Sequence, residues 1–107
     1  MSKSITSIYC VAANEAEAKS IGHTLIRERL AACVNIFPGI TSIYEWEGKI
    51  CEETEAVFTC KTESDRISEV MDRIKSLHSY KVPCIMEFAP SFCQKDFANW
   101  IHGQVKR

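Results

Sequence analysis

Two runs rich in β-forming residues face each other across Glu47-Gly48-Lys49, and their length sets the terms for the whole fold. The first, Cys33 to Glu47, is interrupted at Pro38-Gly39; the second runs from Ile50 to Thr62. Pro has no N–H to give to a sheet ladder, so Pro38 marks a bulge, a bend or an edge. Each arm of this hairpin is predicted to be about 12 residues or longer, against about 5 or 6 for an ordinary strand. In the second arm Ala56, Phe58 and Cys60 alternate with Glu55, Val57 and Thr59, which turns one face toward a core. A hairpin of that reach presents more backbone edge than a 107-residue chain covers by itself. Uncovered edges pair with other chains, so the hairpin predicts an oligomer.

The remaining elements arrange themselves around it. Ile5 to Ala13 is β-branched and aromatic and reads as a strand. Asn14 with Glu17 has the form of a capping box, and Ala18, Ile21, Leu25 and Ile26 follow at helical spacing to about Leu30. Ser64 is placed to cap a second helix, whose stripe is Ile67, Val70, Met71, Ile74 and Leu77. That helix ends before Pro83, because the residue preceding a proline is pushed to extended geometry. Pro83 to Pro90 reads as a fourth strand, and Phe97, Trp100, Ile101 and Val105 mark a last helix. The order β-α-β-β-α-β plus a terminal helix predicts one α+β domain over residues 1–107, a ferredoxin-like antiparallel sheet with both main helices on one face. The other face then needs a cover, and a partner subunit is the natural one.

Composition narrows the function. Thirteen basic residues against fourteen acidic ones leave a formal charge of -1, so no field for nucleic acid or an anionic membrane is expected. No apolar stretch approaches the roughly 20 residues of a membrane span. Six cysteines in so short a chain first suggest a disulfide framework. Met1-Ser2-Lys3-Ser4 leads straight into the first strand without an apolar leader, and the cysteines sit inside apolar or alternating runs. The reading is therefore a cytoplasmic protein with reduced, mostly buried thiols.

No Gly-rich phosphate loop, nucleophile elbow or C-x-x-C occurs, which leaves no enzymatic motif and no zinc ribbon. Glu45, Glu47, Glu52, Glu53 and Glu55 flank the hairpin tip and read as a solvated turn. His23 and His102 read as surface residues of helices. His78 differs: it closes the second helix and opens His78-Ser79-Tyr80-Lys81-Val82-Pro83-Cys84. In the predicted topology the fourth strand neighbours the first, which carries Cys10. A thiolate and an imidazole brought together there would suit copper or zinc, while helix capping by His78 is the plainer reading. Tyr44 and Trp46 share one face near the hairpin tip, a packing or interface anchor.

The run Leu30-Ala31-Ala32-Cys33-Val34-Asn35-Ile36-Phe37-Pro38-Gly39-Ile40-Thr41-Ser42-Ile43-Tyr44-Glu45-Trp46-Glu47-Gly48-Lys49 closely resembles the signature of the CutA family, the divalent-cation tolerance proteins. Lys61-Thr62, His78-x-Tyr80-x-x-Pro83 and Asn99-Trp100-Ile101 match as well, so the resemblance spans nearly the whole chain. It implies a ferredoxin-like fold and a tight homotrimer in which extended hairpins pair strands between subunits, an architecture similar to that of PII signalling proteins. It also implies a link to copper and other divalent cations, a cytoplasmic location, no organic cofactor and no established enzymatic activity.

Carried over by position, the resemblance implies a metal site of Cys10 and His78, with Tyr80 and Pro83 matching the motif. Ser79 replaces the usual Pro, Lys81 sits at a variable position, and Cys84 stands where Glu often follows Pro83. A thiol in place of a carboxylate makes the site softer and favours Cu(I) over Cu(II) or Mg(II); the alternative is a site that no longer binds. A second function class is a PII-like module binding a small anion or metabolite between subunits, with Lys61, Tyr44, Trp46 and Tyr80 as candidate liners. A third is an interaction scaffold.

Overall fold

The computed structural model describes residues 4–106; Met1 to Lys3, on which the expectation of no leader partly rests, lie outside them. Elements follow in the order β1 (Ile5–Ala12), α1 (Glu15–Arg27), β2 (Cys33–Trp46), β3 (Lys49–Glu63), α2 (Ile67–Leu77), β4 (Ile85–Phe88) and α3 (Lys95–Gln104). One antiparallel sheet has the strand order β2-β3-β1-β4, the ferredoxin-like arrangement predicted. β2 and β4 are its edges.

Phe58 shows how the register builds the core. It lies opposite Cys10 on β1 and Ile36 on β2, and it is completely buried. Ile8, Cys10, Ala12, Ala56 and Cys60 share its side of the sheet and meet Ala18, Ile21 and Leu25 of α1 and Val70 and Ile74 of α2. Truncating an aromatic at such a site costs about 3–5 kcal/mol. A smaller cluster, Ile5, Ala32, Ile101 and Val105, seats α3 at one end of the sheet. The opposite sheet face leaves Phe37, Met86 and Phe88 about half exposed.

The hairpin has the predicted length. β2 and β3 pair from Cys33↔Lys61 to Trp46↔Lys49, with a bulge between Phe37 and Ile40 where Pro38 cannot donate. Gly39 takes φ +69 there, a region open to glycine. The tip overhangs the helices, so Ile43, Trp46 and Ile50 are all well exposed, and the molecule extends 49 Å along its longest axis.

Several local expectations are corrected. α1 stops at Arg27 rather than near Leu30. Arg29 N–H donates to Ile26 O and Leu30 N–H to Leu25 O, while Arg29 adopts φ 58, which is a Schellman ending. Arg29 also reaches the carbonyls of Gly103 and Gln104 and so caps α3 from across the chain. Ser64 does not cap α2 with its side chain: Ser64–Arg66 form a 3-10 turn, and Ser64 N–H donates to Ser4 O. β4 is only four residues, shorter than the Pro83–Pro90 run, because both prolines lack the donor that pairing needs. His102 is not a plain surface residue, since its Nδ1 lies 2.5 Å from the fully buried Glu63 carboxylate.

Candidate functional site

The end of β1, the start of α1 and the loop after α2 converge on one place, and Glu17 holds them together. Asn14 caps α1 by accepting from Glu17 N–H at 2.8 Å. The Glu17 carboxylate accepts from Ala13 N–H at 2.8 Å and, through its other oxygen, from Ser79 N–H at 2.8 Å. Half of this was legible as a capping box; the reach to Ser79 spans 62 residues and was not. Burial pushes the Glu17 carboxyl up, but the hydrogen bonds from Ala13 and Ser79 and the nearby His78 outweigh it and hold the group below the usual range.

His78 occupies the C-cap of α2 and its side chain is completely buried. Nε2 lies 2.7 Å from Val11 O and acts as donor; Nδ1 accepts from Tyr80 N–H at 3.0 Å. That pair of bonds puts a ring hydrogen on Nε2 and leaves Nδ1 as an acceptor. Both ring nitrogens are therefore engaged in fixing the loop to β1.

Cys10 lies one residue from Val11 on the core face, opposite Ile85, and Val11 N–H donates to Cys84 O at 3.2 Å. Cys84 is exposed at the entrance to β4. Burial, then the neighbouring Cys84 and Cys60 thiols, push the Cys10 thiol up to about 12. The topology thus brings Cys10, His78 and Cys84 into one neighbourhood. Among the described residues no group of three or more His, Cys, Asp or Glu side chains converges on a common point. A metal at this place needs a ring nitrogen released from Val11 or Tyr80 and a proton released from Cys10.

Tyr80 turns the other way. Its hydroxyl donates to Glu55 Oε2 at 2.5 Å, and burial followed by this bond raises its pKa strongly. Glu55, read from sequence as part of a solvated turn, is in fact almost wholly buried. Further out Tyr44 donates to Glu53, a cross-strand pair on an exposed surface. Trp46 stands exposed near the tip of the hairpin. Lys61 sits instead on the open sheet face, with Nζ donating to Asn35 Oδ1 at 2.6 Å. No helix among the described residues is long and apolar enough to cross a membrane.

Comparisons with known proteins agree with the fold. A family profile described as CutA1 divalent ion tolerance protein matches residues 6–104. The Archaeoglobus fulgidus divalent-cation tolerance protein CutA is 43% identical over 99 residues, 92% of this chain and 96% of that one. A solved structure of the A. fulgidus CutA, named there as periplasmic, superposes with TM-score 0.91 at 41% identity over 95% of this chain and 99% of that one. The crystal structure of the divalent ion tolerance protein CutA1 from Ehrlichia chaffeensis gives 0.93 at 31% identity, covering 96% of each chain.

Proposed function

The chain belongs to the CutA1 divalent ion tolerance protein family, whose members are not known enzymes, and from that premise we propose that it acts in the response to copper and other divalent cations as a cytoplasmic homotrimer. The observation that carries the metal reading is the placement of Cys10 on β1 beside the entrance to β4, where the next residue, Val11, donates its N–H to Cys84 O at 3.2 Å. Two thiols form a soft donor set that prefers Cu(I) to hard cations such as Mg(II). His78 is the third donor in this proposal, recruited from Val11 when the ion displaces the thiol proton.

The trimer reading is supported by the overhanging hairpin and the unpaired outer edge of β2. The cytoplasmic reading is supported by six free thiols, two of them embedded in the core.

Titration with Cu(I) and Mg(II) under reducing conditions tests the metal site, using the wild type, Cys10→Ser, Cys84→Ser and His78→Ala. Loss of Cu(I) affinity in the cysteine variants is the expected outcome. Equal stoichiometry and affinity in all four proteins would sink it. Light scattering is expected to give close to three times 12.1 kDa, and a monomer would overturn the trimer.

A further inference from the structure

Arg29 holds a backbone conformation that its residue type disfavours. Its φ is 58, in the left-handed region where a Cβ crowds the following carbonyl. A glycine would end α1 there with less strain, because that is the residue a Schellman ending favours. What the arginine adds lies at the other end of the chain. Its Nε donates to Gln104 O at 3.1 Å and its Nη2 to Gly103 O at 3.2 Å. Its own carbonyl accepts from Lys106 N–H at 3.0 Å. These bonds meet the last turn of α3, where carbonyls lack helical partners and the helix dipole favours a cation.

The two sides of this contact are held differently. On the Arg29 side, Leu30 N–H and Ala31 N–H donate to Leu25 O, and Ala32 N–H donates to Lys61 O at 2.8 Å. The buried Thr62 hydroxyl donates to Leu30 O at 2.7 Å. The turn that carries Arg29 is thereby tied into both α1 and β3. α3 instead rests on a seat of its own: Ile101 and Val105 pack with Ile5 and Ala32, a cluster separate from the one around Phe58. Its ties to other elements gather near its C-terminal end. Besides Arg29 they include His102 Nδ1, 2.5 Å from Glu63, and the Arg66 guanidinium on Lys106 O.

From these observations we propose that α3 is a strap that opens and closes over the end of the sheet as one unit, with Arg29 as its fastener. Because its apolar seat is separate, α3 lifts without opening the main core. The turn around Arg29 holds the strained backbone in place, as such outliers require, so the guanidinium faces α3 whether the strap is open or closed. Closing therefore makes the side-chain bonds without first having to order the residue that makes them. Opening brings water to Glu63, which is completely buried while His102 lies against it. The strap thus controls access to a buried acid at the end of the sheet. Metal binding at Cys10 plays no part in this inference, and every contact it uses lies within one chain.

Hydrogen-exchange mass spectrometry on the assembled protein tests it, at one protein concentration, with the wild type, Arg29→Gly, Arg29→Lys and Glu28→Gln. Arg29→Gly suits the left-handed turn and removes only the fastener. It is expected to speed exchange across α3 about fivefold or more, from lost contacts to the helix carbonyls and dipole. Peptides covering α1, β1 and β3 are expected to keep their wild-type rates. Arg29→Lys puts one compact ammonium in place of the fork and is expected to fall between wild type and glycine. Glu28→Gln neutralises the neighbouring bridge to Arg73 and is expected to leave α3 at its wild-type rate. Unchanged exchange of α3 in Arg29→Gly would overturn the inference, and a partner chain that pins α3 would give that outcome. Acceleration spread evenly over α1 and the sheet would overturn it too, because the side chain would then hold up the whole fold rather than a strap. So would an equal effect of Glu28→Gln.

Discussion

His78 Nε2 lies 2.7 Å from the carbonyl oxygen of Val11, with the imidazole wholly buried between them. This bond ties the end of α2 to the end of β1 across 67 residues of sequence. It makes His78 a structural keystone of the loop that also carries Tyr80 and Cys84.

Removing that imidazole leaves Val11 O and Tyr80 N–H without their partner and opens a void. His78→Ala is expected to lower the unfolding free energy by about 2–4 kcal/mol, from two lost hydrogen bonds and a cavity. His78→Asn, which retains a donor and an acceptor, should lose less. Urea denaturation at one fixed protein concentration checks this, since the stability of an oligomer depends on concentration. A loss below half a kcal/mol for alanine would show that the buried contacts carry little.

Glu17 gives the fold an acid-sensitive joint. Its carboxyl is held below its ordinary value of 4.5, so the ionised form is the one the fold favours. The stabilisation is complete above that value and is lost as pH falls below it through the lowered native value. Glu17→Gln is therefore expected to flatten the acid limb of stability against pH while leaving its alkaline limb alone. Parallel acid limbs for the two proteins would place the proton uptake elsewhere.

The six thiols are expected to divide by burial. Cys10 and Cys60 are buried in the core and pushed up to about 12, so almost no thiolate exists at neutral pH. Cys84 and Cys93 are exposed. Iodoacetamide followed by peptide mass spectrometry should label Cys84 and Cys93 first, and Cys10 and Cys60 only on unfolding. Comparable rates at Cys10 and Cys84 would contradict the placement of Cys10.

Gly22 lets α1 approach β2: a Cβ built on it would meet Val34 Cγ1 at 3.1 Å. Gly22→Ala gains about 1 kcal/mol of helix propensity and compresses a stiff β-branched neighbour, so its net effect is expected within about 1 kcal/mol of zero. Gly22→Ile is expected to cost about 2 kcal/mol or more through overpacking, and Val34→Ala should restore part of it. Additive losses in the double variant would rule out this contact as the cause.

The hairpin arms, the α2 stripe and the strand order were legible in the sequence because each rests on local periodicity and turn chemistry. Pro38 announced the bulge, and the spacing of Val70 and Ile74 announced the buried face of α2. The run around Tyr44 and Trp46 also carried the family. Glu55 and His102 were misread because a charged residue is interpreted as solvated unless its partner is visible. Their partners, Tyr80 and Glu63, stand 25 and 39 residues away.

By itself, then, the sequence determined the elements, their order and the hairpin's excess edge, because hydrophobic period and backbone stereochemistry act over a few residues. Only the tertiary structure decided that His78 has both ring nitrogens engaged, that Glu17 joins two distant turns, and that Arg29 caps α3 from 74 residues away. Those outcomes depend on which groups lose water together when strands far apart in sequence pair. That desolvation is a property of the packed chain, written in no single segment.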